Sequence, residues 1–326
     1  MLNFRIGSLL LVTLMLWGCG EEQRARERVE LALKSVTLQM DELAGALSAD
    51  QIRNALILKQ YASLLSTQRP ELRQLAATIA EDATTSGPLY RSLQTRLKTV
   101  SETREGSLSY AEFPQWQDRL QELDSLHRAS SVQMFNDALS DPVNVLSDLS
   151  GGNLARVNAI SAAAEQMAGE RDQTAGQQLV GNPGYGQWSG SGASSFWVWY
   201  GQYAMMSRLL GGRTYYGDWG RSRRYSYYHD VGRNNYTSPR QKYTQATREQ
   251  TTKKQFRNSG KRFTSPYSRT RAGASGLSRA STSQSKAVFT SPYSKKSSSG
   301  SSYRSSYQSS ARNSSARTLR GVSRGK

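Results

Sequence analysis

Cysteine is almost missing from this chain: Cys19 is the only one in 326 residues. A lone thiol excludes an internal disulfide framework and leaves no second soft ligand for a thiolate metal site. Histidine is nearly as scarce. His127 and His229 fall in different halves, and no HExxH helix, phosphate-cradling Gly-rich loop or Cys/His metal spacing is present. No apolar run reaches the roughly 20 residues that a spanning helix needs. Acidic residues nearly vanish from the second half. Residues 20–175 hold 16 Lys and Arg against 22 Asp and Glu, whereas residues 176–326 hold 26 against 3. Branched aliphatics thin out in the same place, where Ser, Arg, Tyr, Gly and Thr dominate. Such a composition is expected to bury too little apolar surface to offset its chain entropy. The chain therefore reads as one folded helical domain followed by a long disordered basic tail.

What is present begins with the N-terminus. Met1–Arg5 is short and carries one positive charge, and Ile6–Leu16 is apolar apart from Gly7, Ser8 and Thr13. Small Gly18 precedes Cys19, and polar residues follow at once. A charged start, a greasy middle and a small residue at the cut make the layout of a secretory signal. The stretch Leu16-Trp17-Gly18-Cys19 resembles the lipobox of bacterial lipoproteins, with Trp17 where that family usually has Ala, Ser, Thr or Val. The resemblance covers residues 1–19. It implies cleavage between Gly18 and Cys19, diacylglycerol on the Cys19 thiol and an N-acyl chain on the new amino terminus. Two or three acyl chains would hold the protein in a membrane, at about 0.8 kcal/mol per buried CH2. In that family an Asp after the cysteine favours inner-membrane retention; Gly20 stands here, which favours the outer membrane of a Gram-negative envelope.

Residues 19–175 read as an all-α bundle. Val29, Leu33, Val36, Met40, Leu43 and Leu47 recur at spacings of 4 and 3, one continuous stripe close to a coiled-coil seam but short of three heptads. Ser48-Ala49-Asp50-Gln51 has the form of a capping box, predicting a second helix from about residue 49. Pro70 suits the first position of a third. Gly87-Pro88 predicts a break, after which Leu89, Leu93, Leu97 and Val100 continue the pattern. Trp116 to Leu139 reads as a further helix, Asp141-Pro142 as a cap and first-turn proline, and Asn153 to Met167 as a last helix with Leu154, Val157, Ile160, Ala164 and Met167 inward. No period-2 alternation stands out. The acid pairs Glu81-Asp82 and Asp118/Glu122 read as solvated helix faces and His127 as a rim or core residue. The sequence thus predicts neither an enzyme, nor a metal site, nor a cofactor beyond the lipid on Cys19.

Residues 176–195, rich in Gly, Ser and Asn, read as a flexible linker. Residues 196–211 form an aromatic apolar segment. On a helix, Phe196, Trp199, Tyr200, Tyr203 and Leu210 would share a face, with Trp197 beside it. Trp and Tyr favour the headgroup level of a membrane, so the segment is a candidate in-plane foothold. Docking on the bundle and contact with a protein partner are the other readings. In the basic tail, residues 212–326, the unit aromatic-Thr-Ser-Pro recurs in "NYTSPRQK" at 235, "RFTSPYSR" at 262 and "VFTSPYSK" at 288. These units are expected to act as short linear motifs. Arg221, Arg223, Arg224, Arg240, Lys242, Arg269, Lys295 and Lys296 are the candidate polyanion-binding cations. Interleaved Tyr and Phe could stack on bases or sugars.

The expectation is a lipid-anchored envelope protein of structural or interaction type, its tail gripping membrane lipid, lipopolysaccharide, cell-wall polymer or extracellular nucleic acid. The alternative is an adaptor subunit of a membrane complex, bound to a protein partner through the helical domain and the aromatic segment.

Overall fold

The stripe on the first helix sets the architecture. The computed structural model describes residues 2–103, 113, 115–169, 174–209, 211–268 and 270–288, with backbone alone at 2–22, 209 and 285–288. Helix α1 (Leu2–Ser48) runs unbroken through residues 16–19. Val29, Val36, Met40, Leu43 and Leu47 are buried along it, and Leu33 packs at their edge. This face lies against α5 (Trp116–Ala129), whose Leu123 and Leu126 are buried in turn.

The second helix starts later than a capping box at Ser48 would place it. Ser48 is still in α1, its hydroxyl donating to the Ala44 carbonyl at 2.8 Å. Asp50 adopts φ of 55°, the Gln51 N–H donates to the Ala46 carbonyl and the Asp50 N–H to that of Leu47. This is a left-handed C-cap that closes α1, with Asp in the place glycine usually takes. Helix α2 (Arg53–Gln68) then follows buried Ile52 and packs on α3 (Arg73–Ala80), which a 3-10 turn at Pro70–Leu72 introduces.

Helix α4 (Pro88–Ser101) begins at the proposed break, Pro88 in its first turn. Its Leu89 N–H is capped from afar by Asp82, at 3.4 Å. Gly87 is required there, since a Cβ would stand 2.4 Å from the Glu81 carbonyl oxygen. The span from Trp116 to Leu139 is two helices, α5 and α6 (Val132–Ala138), separated by a turn capped by the Ser131 side chain. Helix α7 (Ser140–Leu149) contains Asp141 and Pro142, so Asp141 is not its cap. The last expected helix shrinks to α8 (Ala162–Met167). Residues 151–160 are irregular, held by Asn144 and Ser147 bonds to the backbone of Val157 and Leu154, and Met167 is exposed.

The larger departure lies beyond residue 175. The expected linker is folded: Leu179, Val180 and Tyr185 are buried, and strand β1 (Gly186–Ser189) pairs antiparallel with β2 (Phe196–Trp199). The aromatic segment is therefore a strand at its start. Alternation puts Trp197 and Trp199 into the core, and Trp188 opposes Trp197 across the hairpin with rings 5.2 Å apart. Gly186 allows that packing, because a Cβ there would sit 2.8 Å from the Trp197 ring.

The expected disordered stretch from residue 212 is also helical as far as it is described. Helices α9 (Met206–Leu209), α10 (Tyr216–Ser222), α11 (Pro239–Asn258) and α12 (Arg279–Val288) follow, with a π turn at Tyr228–Gly232. Residues up to Val288 form one compact unit. The second half's share of the core is aromatic where the first half's is aliphatic: Tyr216, Trp219, Tyr225, Tyr227, Tyr228 and Tyr236 are all buried. Aromatics supply the buried area that the missing aliphatics do not. Among the described residues no helix is long and apolar enough to cross a membrane.

Candidate functional site

The basic residues of the second half meet the acidic residues of the first inside the protein. Arg224 Nε lies 2.9 Å from Glu165 Oε2 and Arg224 Nη1 2.8 Å from Asp148 Oδ2. Arg156 joins the same two carboxylates at 2.8 and 3.6 Å, making a buried cluster of two cations and two anions. Arg223 forks onto Asp230 at 2.7 and 2.9 Å and donates to the Pro266 carbonyl. Asp141 accepts from the Tyr227 and Tyr228 N–H groups and the Ser226 hydroxyl at 2.7–3.0 Å. It tethers the second half to α7, and burial pushes its carboxyl up to about 7 against those donors.

These contacts correct part of the sequence reading. Arg223 and Arg224 are about 1% exposed and committed to internal carboxylates, so they do not form a polyanion-binding surface. Arg221 is exposed and pairs with Asp218 at 2.9 Å. Arg240 is exposed on α11, whereas Lys242 is half-buried and its ammonium is held below its usual range by burial, with Glu122 opposing. Leu210, Arg269, Lys295 and Lys296 lie outside the described residues, and Gly18 and Cys19 are described in backbone alone. Trp197, Trp199 and Tyr203 are buried and Phe196 is half-buried, its ring under the Arg213 guanidinium at 4.6 Å. Among the described residues of the membrane-contact set, only Tyr200 is well exposed, at 43%.

The first two Thr-Ser-Pro units are structural too. Ser238 caps α11 by accepting from the Gln241 N–H, and Gln241 reaches back to the Ser238 N–H. Ser265 accepts from the Tyr267 N–H at 3.1 Å, and the Tyr267 ring lies 3.6 Å beneath the Arg233 guanidinium. The aromatic ahead of each unit, Tyr236 or Phe263, packs on the core. The third unit lies outside the described residues.

The feature that no sequence motif announced is a groove between α4, the hairpin and the first turns of α11. One lobe, about 420 Å³, is lined by Arg91, Thr95, Arg96 and Glu122 with Tyr200 and Gln241. A second, about 240 Å³, shares Tyr200 and Gln241 and continues over Trp188, Trp197 and Arg240. The first lobe is within the size range of small-ligand sites, about 300–1,000 Å³, and lies at the junction of packed elements. Tyr200 stands between the lobes on a fixed turn: its N–H donates to the Tyr185 carbonyl and its own carbonyl accepts from the Tyr203 N–H.

Glu122 was read as a solvated face and is instead 2% exposed. Its Oε1 accepts from Arg96 Nε at 2.6 Å, and Arg96 also donates to the Asn235 carbonyl and the Ser125 hydroxyl. Glu122 Oε2 has no partner, and neither has the Trp197 indole N–H in the second lobe. Asp82 is also fully buried, accepting from the Tyr185 hydroxyl at 2.6 Å; burial pushes its carboxyl up to about 7. His229 is packed between Trp219 and Tyr228 with Nε2 on the Val180 carbonyl at 2.7 Å. Burial and then the Arg223 charge hold it well below its usual range, hence neutral.

No family model, curated protein or solved structure matches the chain.

Proposed function

We propose that this is an exported, lipid-anchored protein of the bacterial envelope, a binding component and not an enzyme. The observation that carries the reading is the lone Cys19 at the end of a signal-like run. Helix α1 continues from Cys19 to Ser48 without a break. Val29, the first buried residue on it among those whose side chains are described, is about 15 Å from Cys19 at 1.5 Å per residue. A lipid on Cys19 would thus hold the folded body close against the membrane surface on a short charged stalk, residues 20–28. The groove then offers the body's binding surface. Beyond it, residues 289–326 bring eight Lys and Arg and no Asp or Glu, a counterion-exchanging ligand for lipopolysaccharide, anionic lipid or wall polymer.

The test is fractionation of cells expressing the full chain and its Cys19→Ser variant. The wild type is expected in detergent-extracted envelope as a shortened species, and the variant as an uncleaved precursor. Identical size and partitioning of the two would refute the anchor.

A second reading, the adaptor of a membrane complex, draws on exposed Leu31 and Leu38, one heptad apart on α1. There a protein partner would cover the stalk-proximal face of the bundle.

A further inference from the structure

We propose that the groove binds a chain of 2-acetamido sugars, the glycan class of cell walls. The choice of this class rests in part on the envelope reading above, and the groove's own chemistry narrows it further. Its two lobes are lined without a single Leu, Ile, Val or Met, and aromatic rings provide the flat apolar area. Tyr200 and Trp188 carry it in the shared and second lobes. The C–H face of a pyranose packs on such rings while its hydroxyls reach outward to polar groups. Thr95, Gln241, Arg91 and Arg240 are among those groups.

Three lining side chains carry an unpartnered buried atom, and the Tyr203 hydroxyl among them can donate or accept. Glu122 Oε2 needs a donor and Trp197 Nε1 needs an acceptor. Buried polar atoms without partners are costly and call for an explanation. An acetamido sugar has both complements, hydroxyl and amide N–H as donors and the acetyl carbonyl as acceptor. A phosphate has acceptors only and would meet the Glu122 carboxylate unfavourably.

An extended peptide fits less well. Strand addition needs the free edge of β1, but Arg248 donates to the carbonyls of Trp188 and Gly190, at 3.2 and 2.9 Å. Aliphatic side-chain pockets, the other basis of peptide recognition, are missing from the lining. Among the described residues Glu122 is the one carboxylate in either lobe. Glycoside hydrolysis uses a pair of carboxyl groups, so the assigned role is binding without cleavage.

The probe is N-acetyl-chitotetraose, titrated into the purified full chain and followed by calorimetry and tryptophan fluorescence. Saturable binding with a fluorescence change is expected. Tyr200→Ala, at an exposed ring, should weaken it at least tenfold without moving the melting temperature. Trp197→Phe keeps the ring and removes the N–H, and should weaken it severalfold. Cellotetraose, which lacks the acetamido groups, should bind at least tenfold more weakly. No saturable binding at millimolar chitotetraose by folded protein would overturn the proposal. So would binding indifferent to Tyr200→Ala, equal binding of cellotetraose, or capture of free wall stem peptide without chitotetraose. The assay does not depend on the lipid: saccharide binding by a chain found to carry a free Cys19 would leave the groove standing and remove the anchor alone.

Discussion

Arg224 and Glu165 lie 59 positions apart in sequence and form an ion pair with Nε to Oε2 at 2.9 Å, both side chains 1% exposed or less. The pair joins the basic half of the chain to the acidic half, so the two charge-segregated stretches are complementary parts of one body. Removing one member of a buried pair costs about 3–5 kcal/mol; here Arg156 stays beside Glu165 at 2.8 Å, which places the loss toward the lower end of that range. Arg224→Met is therefore expected to lower stability by that order in chemical denaturation. Adding Glu165→Leu should recover part of the loss. Full additivity of the two losses would contradict the coupling.

Truncation tests the same relationship at larger scale. A chain ending at residue 175 loses Tyr185, Trp199, Arg223 and Arg224, and with them the Tyr185 bond to Asp82 and the Arg224 pairs with Asp148 and Glu165, leaving Arg156 as the one cation of that buried cluster. It is expected to lose cooperative thermal unfolding. A chain ending at residue 288 keeps every one of these contacts and should melt as the full chain does. A cooperative, stable 1–175 fragment would show that the second half is an accessory.

Stability should fall as pH rises from about 4 to about 7. The carboxyl of Asp82 is raised by burial to about 7 in the folded protein, against about 3.9 in an unfolded chain. Its contribution is full below the unfolded value and is lost as pH climbs through the folded one. Asp82→Asn keeps an acceptor for Tyr185 and cannot ionise. Melting curves of the two proteins should therefore diverge over this window, the wild type losing ground to the variant. Parallel profiles would mean that Asp82 does not gain a proton on folding.

The first helix was open to sequence reading because its evidence is local: apolar residues at spacings of 3 and 4 need only one helix face to bury them. Glu122 and Asp82 were not. Their partners, Arg96 and Tyr185, stand 26 and 103 positions away, and a carboxylate's neighbours across a fold leave no periodic trace. Asp50 misled for another reason, since Ser-x-x-Gln serves an N-cap, whereas here Asp50 in the left-handed region ends the preceding helix. The second half looked disordered because composition weighs aliphatics and net charge. Buried tyrosines with bonded hydroxyls, such as Tyr236 on the Ala129 carbonyl at 2.7 Å, and arginines neutralised at long range escape both measures. The groove followed from none of its residues singly, since Tyr200, Glu122 and Gln241 meet only through the hairpin and α11.

The remaining basic segment, residues 289–326, predicts a salt-dependent hold on anionic surfaces. The full chain should bind anionic vesicles and release them steeply as salt rises, because exposed charges are screened over about 8 Å at physiological ionic strength. The chain ending at residue 288 should bind them at least tenfold more weakly. Replacing Lys295 and Lys296 should weaken binding in part, since many contacts share it. Binding unaffected by salt would point instead to a specific protein partner and to the adaptor reading.

The most direct test of the account is the mass of the N-terminal tryptic peptide from the full chain extracted from membranes with detergent. Lipid attachment at Cys19 predicts a peptide beginning at Cys19 and ending at Arg24, heavier than its sequence by a diacylglyceryl group and an N-acyl chain. A peptide retaining residues before Cys19, or one starting at or after Cys19 with an unmodified thiol, would contradict it.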